Sequence, residues 1–163
     1  MRDFDNLLEK FNNYLSSLLE YDNSPQHKVI DSIKYSLFSG GKRIRPLFCL
    51  ISFCEFSDES LDKILPFAAA IEMIHTYSLV HDDLPAMDDD DFRRDKPTNH
   101  KVYSEGIAIL AGDGLLNMSM EILLRHIENI EDPEDLKRAM RAMKYIYNAT
   151  GVNGMIGGQT IDI

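Results

Sequence analysis

Apolar residues recur at helical spacing along most of the chain, and sustained period-two alternation is absent. Phe4, Leu7, Leu8, Phe11, Leu15 and Leu18 fall three and four apart and predict a first helix. Ser24 followed by Pro25 reads as a cap and a first-turn proline. It opens a second helix with Val29, Ile30, Ile33 and Leu37 on one side. Gly40-Gly41 closes that helix, because glycine accepts the left-handed conformation that ends one. A third helix is predicted over residues 43–56. Ser57-Asp58 is read as the start of a fourth, carrying Leu61, Ile64, Leu65, Ala68, Ile71, Ile74 and His75. A polar stretch over residues 84–100 breaks the pattern. Helical spacing resumes over 103–130, and Asp132-Pro133 starts a last helix. The predicted fold class is all-α, a helical bundle with short connections.

Length then bounds the organisation: 163 residues make one ordinary domain, read here as a single unit over 1–163. Hydrophobic residues at 44% and charged residues at 27% fit a globular chain. The formal net charge of -10 argues against a sequence-independent nucleic-acid binder, which needs cations to neutralise phosphates. Cys49 and Cys54 are too few for a disulfide framework and lack zinc-site partners, which points to a reducing, cytoplasmic compartment. The N-terminus has no apolar signal region, and no run of 18 apolar residues predicts a transmembrane segment. Glycines at 151, 154, 157 and 158 are followed by an end without cap or polar tail, which predicts a truncated chain.

The segment with the strongest chemistry is His81-Asp-Asp-Leu-Pro-Ala-Met-Asp-Asp-Asp-Asp-Phe-Arg-Arg94. Its six carboxylates between 82 and 91 are uninterrupted by any cation, so they repel unless solvated or neutralised. A bound divalent cation would do the latter, since Mg²⁺ takes one or two carboxylates together with water and phosphate oxygens. A solvated acidic face is the plainer reading. It is weakened because the run directly follows an apolar helix and is itself followed by Arg93-Arg94. On an unbroken helix Asp82 and Asp88 would lie about 240° apart. Pro85 disrupts the helix between them, so the chain can bulge and bring both carboxylates to one side. His75 precedes Asp82 by seven residues, two turns on nearly the same face and roughly 10 Å away. An EF-hand is excluded: counted from Asp88, position 6 is Arg93 instead of glycine and position 12 is Asn99 instead of glutamate.

The second informative segment is Ser39-Gly-Gly-Lys-Arg-Ile-Arg-Pro46. It lacks the spacing and the preceding strand of a P-loop. Three cations in four residues after a glycine turn could be a surface patch, or they could clamp a phosphate, with arginine offering a planar fork and lysine a point charge. Together, an acidic cluster and a basic turn in one bundle suggest two diphosphate sites. One would act through Mg²⁺ and the other through cations directly.

In these two segments the chain resembles the first half of the trans-polyprenyl diphosphate synthases of bacteria, most closely the farnesyl type. Gly158-Gln-Thr-Ile-Asp162 also looks like that family's Gly-Gln-x-x-Asp-Leu element. The resemblance implies an antiparallel helical bundle of the isoprenoid synthase type. It implies that Asp82 and Asp88, with Asp83 beside them, ligate Mg²⁺ bridging an allylic diphosphate that Arg93 also contacts. Lys42, Arg45, His75 and Arg94 would hold isopentenyl diphosphate, and Gln159 and Asp162 would lie near the substrate cavity. Arg43, Asp89, Asp90 and Asp91 would tune the local field.

The implied reaction is Mg²⁺-assisted ionisation of the allylic diphosphate, attack by the isopentenyl double bond and loss of a proton. Tyr77 resembles the bulky floor that sets chain length. With the expanded spacing between Asp83 and Asp88, it favours a farnesyl over a geranylgeranyl or longer product. The resemblance further implies a homodimer acting on small-molecule isoprenoid diphosphates. The family's second aspartate-rich motif is not in these 163 residues, so this polypeptide alone is expected to be inactive. A regulatory, non-catalytic subunit of such an enzyme is the alternative role.

Overall fold

A computed structural model of the chain describes residues 4–20 and 25–162. The backbone falls into two compact units, Met1–Ser119 and Met120–Ile163. The first carries α1 (Phe4–Ser17), α2 (His27–Phe38), α3 (Ile44–Phe56), a 3₁₀ turn (Leu61–Lys63), α4 (Leu65–Asp82), a two-stranded hairpin of β1 (Phe92–Arg93) and β2 (Lys96–Pro97), and α5 (Asn99–Tyr103). Helix α6 (Glu105–Glu128) begins in the first unit and runs into the second, which also holds α7 (Pro133–Thr150) and α8 (Met155–Asp162). The fold is all-α, as the spacing predicts.

Helix α4 is the centre of the first unit. Phe67, Ala68, Ala69, Ala70, Met73, Ile74, Tyr77 and Val80 are all buried, so apolar residues surround the helix instead of lining one stripe. Helices α1, α2 and α3 pack against it. The three-four spacing in α1 buries Leu7, Phe11 and Leu15 as predicted, while Phe4 stays half exposed. Helix α6 passes close to α4 and α2 at its glycines: Gly112 lies against the His81 ring and Gly114 against the Ile33 methyl. Ala108, Ala111 and Leu115 of α6 are fully buried. By length and composition α6 is nonetheless the one described helix long and apolar enough to cross a membrane, although it holds no uninterrupted run of 18 apolar residues.

Several boundaries differ from the sequence reading. Ser24, the expected cap of the second helix, lies outside the described residues, and α2 starts at His27. The fourth helix starts at Leu65 rather than Ser57. Ser60 caps the separate 3₁₀ turn by accepting the Asp62 N–H at 3.3 Å, and Pro66 sits in the first turn of α4. The expected helix over 103–130 is divided by Ser104, whose φ of 115° no helix tolerates. The last helix likewise ends at Thr150 and restarts at Met155. The polar stretch contains the hairpin, too short to show any alternation.

Candidate functional site

The end of α4 builds the acidic side. Past Asp82 the Leu84 carbonyl accepts the N–H groups of Met87 (2.8 Å) and Asp89 (3.1 Å), which makes a tight loop at Pro85. Asp88 N–H then donates to the Asp82 carbonyl at 2.9 Å. Six residues apart in sequence, Asp82 and Asp88 are thus joined backbone to backbone, the bulge that Pro85 predicts. Asp88 is exposed and Asp82 half-buried. Asp83 is 4% exposed, and Arg93 donates to its Oδ1 from Nε at 2.7 Å and from Nη2 at 2.5 Å. Burial pushes the Asp83 carboxyl up, against the opposing pull of Arg93, while the hydrogen bond to Asp83 raises the Arg93 guanidinium.

The hairpin carries the cations to this face. Phe92 pairs with Pro97 and Arg93 with Lys96, which leaves Arg94 and Asp95 as the two turn residues, with φ of 55° and 61°. Positive φ at both positions is the type I′ arrangement that matches strand twist, normally filled by asparagine and glycine. A polar network holds the hairpin and α5 to α2. Tyr35 OH donates to the Pro97 carbonyl at 2.7 Å, and Ser32 Oγ donates to Asn99 Oδ1 at 2.7 Å. Asn99 Nδ2 in turn donates to the Ser32 carbonyl at 2.9 Å.

Arg94, next to Arg93, points the opposite way and donates to the Gly40 carbonyl. Gly41 has a φ of 123°, which demands glycine, and a Cβ there would also push aside the Arg94 guanidinium, 2.5 Å away. A cleft of about 450 Å³ opens at this turn, lined by Lys42, Arg43, Arg45, His75 and Arg94 with Glu72 as its one acid. Arg45 Nη1 lies 3.3 Å from His75 Nε2; with the arginine donating, the imidazole accepts at Nε2. Burial first, then Arg45, lowers the His75 pKa, partly offset by Glu72. The cleft thus concentrates positive charge in a form that fits a polyanion.

The structure brings Lys42, Arg45, His75 and Arg94 to one cleft and Asp82 and Asp88 to one backbone junction. Tyr77 is buried, 5.7 Å between ring centroids from His81, and burial raises its phenol. Gln159 and Asp162 lie on α8 in the second unit. Besides the Arg93–Asp83 pair, two features escaped the sequence reading. One is an ion pair between Arg43 and Glu72. The other is a grouping of Asp89, Asp91 and His100, with one donor atom each within 4.8 Å, in which Lys101 Nζ lies 2.6 Å from Asp91.

The family model described as polyprenyl synthetase matches residues 26–163. The chain belongs to the polyprenyl synthetase family. Among polyprenyl synthetases it is 48% identical over 132 residues to the farnesyl diphosphate synthase of Bacillus subtilis, covering 81% of this chain and 43% of the relative. It is 49% identical over 135 residues to the geranylgeranyl diphosphate synthase of Cyanophora paradoxa, covering 83% and 43%. The match to the farnesyl diphosphate synthase of Micrococcus luteus, 45% identical, covers 99% of this chain and 51% of the relative. In structure the chain is similar to a geranyltransferase from Legionella pneumophila, with a TM-score of 0.87 at 38% identity over 98% of this chain and 54% of that one. The chain spans about half the length of these polyprenyl synthetases, or less.

Proposed function

We propose that the chain forms the diphosphate-binding first half of a short-chain trans-prenyl diphosphate synthase. The whole enzyme joins isopentenyl diphosphate to dimethylallyl or geranyl diphosphate, giving farnesyl diphosphate. The observation that carries this reading is the hairpin, whose consecutive arginines serve two oppositely charged places: Arg93 the acidic end of α4, Arg94 the cationic cleft. Two diphosphates held side by side, one through a metal and one through cations, are what head-to-tail condensation needs.

The residues fit Mg²⁺. The Asp88–Asp82 backbone bond brings these two acidic residues to one junction, and Mg²⁺ takes one or two carboxylates with water and phosphate oxygens as the rest. Asp82 and Asp88 would hold it, with Asp83 beside them and bound to Arg93. When bound, Mg²⁺ supplies charge neutralisation for the departing diphosphate. Arg93 shares that diphosphate's charge. Lys42, Arg45 and Arg94 bind the isopentenyl diphosphate, and His75, neutral at pH 7, orients it. Tyr77 closes the floor of the allylic chain's channel. Homodimer assembly and a cytoplasmic location complete the proposal. A geranylgeranyl product is the second reading, favoured by the Cyanophora paradoxa relative at 49% identity.

Isothermal titration of the purified chain with geranyl thiolodiphosphate, which does not ionise, tests this reading. Binding is expected to require Mg²⁺, and Asp82→Asn should abolish that requirement's benefit. Binding that is indifferent to Mg²⁺ in the wild-type chain overturns it.

A further inference from the structure

Arg43 stands in the middle of the basic turn, but its charge is already taken. Its side chain is 10% exposed, and Nη1 lies 2.5 Å from Glu72 Oε1 on α4. Nη2 donates to the Leu37 carbonyl at 2.5 Å. That carbonyl lies in the last turn of α2, where no intrahelical donor remains and a cation complements the helix dipole. Glu72 is itself only 5% exposed at the side chain, a site where an unpaired carboxylate is strongly disfavoured. One planar guanidinium thus ties the end of α2 to the middle of α4 across the Gly40-Gly41 turn. A lysine has one nitrogen in place of the two that make these contacts, so it cannot reproduce the fork. The backbone of Arg43 is left-handed, φ 49° and ψ 34°, a conformation that persists in a non-glycine residue where the surroundings enforce it.

The placement of this tie matters for its neighbours. Lys42 precedes Arg43 directly, and Arg45 follows by two. Glu72 precedes His75 by three residues, one helical turn on the same face of α4. Fixing Arg43 on Glu72 therefore sets Lys42 and Arg45 opposite His75, consistent with the 3.3 Å Arg45–His75 contact. Resting on the prenyl synthase reading above, we propose that Arg43 is a positioning residue: acting through Glu72, it holds Lys42 and Arg45 in place for direct, metal-independent binding of a diphosphate, and does not itself bind that diphosphate.

The probe is inorganic pyrophosphate, titrated calorimetrically into the full chain in EDTA. Lys42→Ala with Arg45→Ala establishes that the anion occupies the cleft. Arg43→Lys keeps the charge and Glu72→Gln keeps the side-chain shape. Each is expected to weaken binding by about fivefold or more, and the double variant to bind no worse than the weaker single, because coupled residues are non-additive. If Arg43 bound the anion itself, Glu72→Gln would free its cation and tighten binding. Tighter or unchanged binding, or additive losses, overturns the proposal.

Amide hydrogen exchange over residues 42–45 gives a readout independent of ligand. It is expected to speed up about tenfold in both single variants while α1 stays unchanged. Unchanged exchange also overturns the tie. A wild-type chain that binds no pyrophosphate overturns the diphosphate reading instead, and faster exchange in the variants would still support the tie.

Discussion

His75 sits among more charge than any other histidine in the site, and its protonation has a sign that can be worked out. Arg45, Arg93 and Arg94 all disfavour its charged form, Glu72 alone favours it, and burial is the largest influence, so its folded pKa lies below the ordinary value of about 6.5. In the unfolded chain the imidazole therefore takes up its proton first as pH falls. Stability is fully present above about 6.5 and falls as pH drops through the window down to the lower folded value. The urea midpoint should decrease between pH 7.5 and 5.5, and His75→Gln should flatten that decrease. An identical decrease in the variant would remove His75 as its source. At this scale the sequence reveals charge types well and pairings poorly. Lys42 and Arg45 are legible as an anion clamp from spacing and sign, whereas grouping His75 and Arg94 with them takes the family resemblance. The Glu72–Arg43 pair is not, since an acid at a helical core position carries no signal of the cation 29 residues upstream that neutralises it. Asp83 reads as one more carboxylate of a run, and only the fold shows Arg93 bound to it.

Helix α6 offers one substitution with two opposite expected outcomes. A Cβ at Gly106 meets nothing within 4 Å, whereas one at Gly112 would fall 2.1 Å from His81 Nε2. Gly106→Ala should stabilise by about 0.5 kcal/mol, since alanine restricts the unfolded chain and favours helix. Gly112→Ala must displace the ring and its 3.0 Å contact with the Ile109 carbonyl, costing about 1–2 kcal/mol. Urea unfolding of both variants decides it, and equal midpoints would mean that α4 and α6 do not meet at Gly112. The helices themselves were legible from apolar spacing, but their ends were legible only where a breaker stood beside them. Asp132 caps α7 as read, its Oδ1 accepting from Glu134 N–H at 3.0 Å and Asp135 N–H at 2.8 Å. Ser57-Asp58 also offers a capping side chain, with Ser57 Oγ accepting the Glu59 N–H at 3.1 Å, yet no helix starts there: Ser60 caps the 3₁₀ turn, and α4 follows with Pro66 in its first turn and no side-chain cap at Ile64. The break at Ser104 has no Gly or Pro to mark it, only a serine that caps α6, its Oγ accepting the Ile107 N–H at 3.5 Å. The hairpin is invisible because two-residue strands offer no periodicity, and its turn is Arg94-Asp95 instead of the usual Asn-Gly.

For the whole chain, the proposed function turns on whether two diphosphate sites would suffice for prenyl transfer. An allylic cation survives only where water is kept away, so the reaction needs an enclosed apolar channel as well as charged anchors. On α3, Ile44, Phe48 and Phe56 are 48%, 65% and 92% exposed, apolar side chains open to water in this chain. The chain also spans about half the length of its relatives, or less. Binding and turnover should therefore separate. Supplied with Mg²⁺, geranyl diphosphate and radiolabelled isopentenyl diphosphate, the purified chain is expected to release no farnesyl product above a protein-free control, while still binding the thiolodiphosphate analogue. Organic extraction of the acid-treated mixture measures it. A Mg²⁺-dependent product that disappears in Asp82→Asn would show that these 163 residues enclose a working channel, with a second copy of the chain as the covering most open to test by sedimentation.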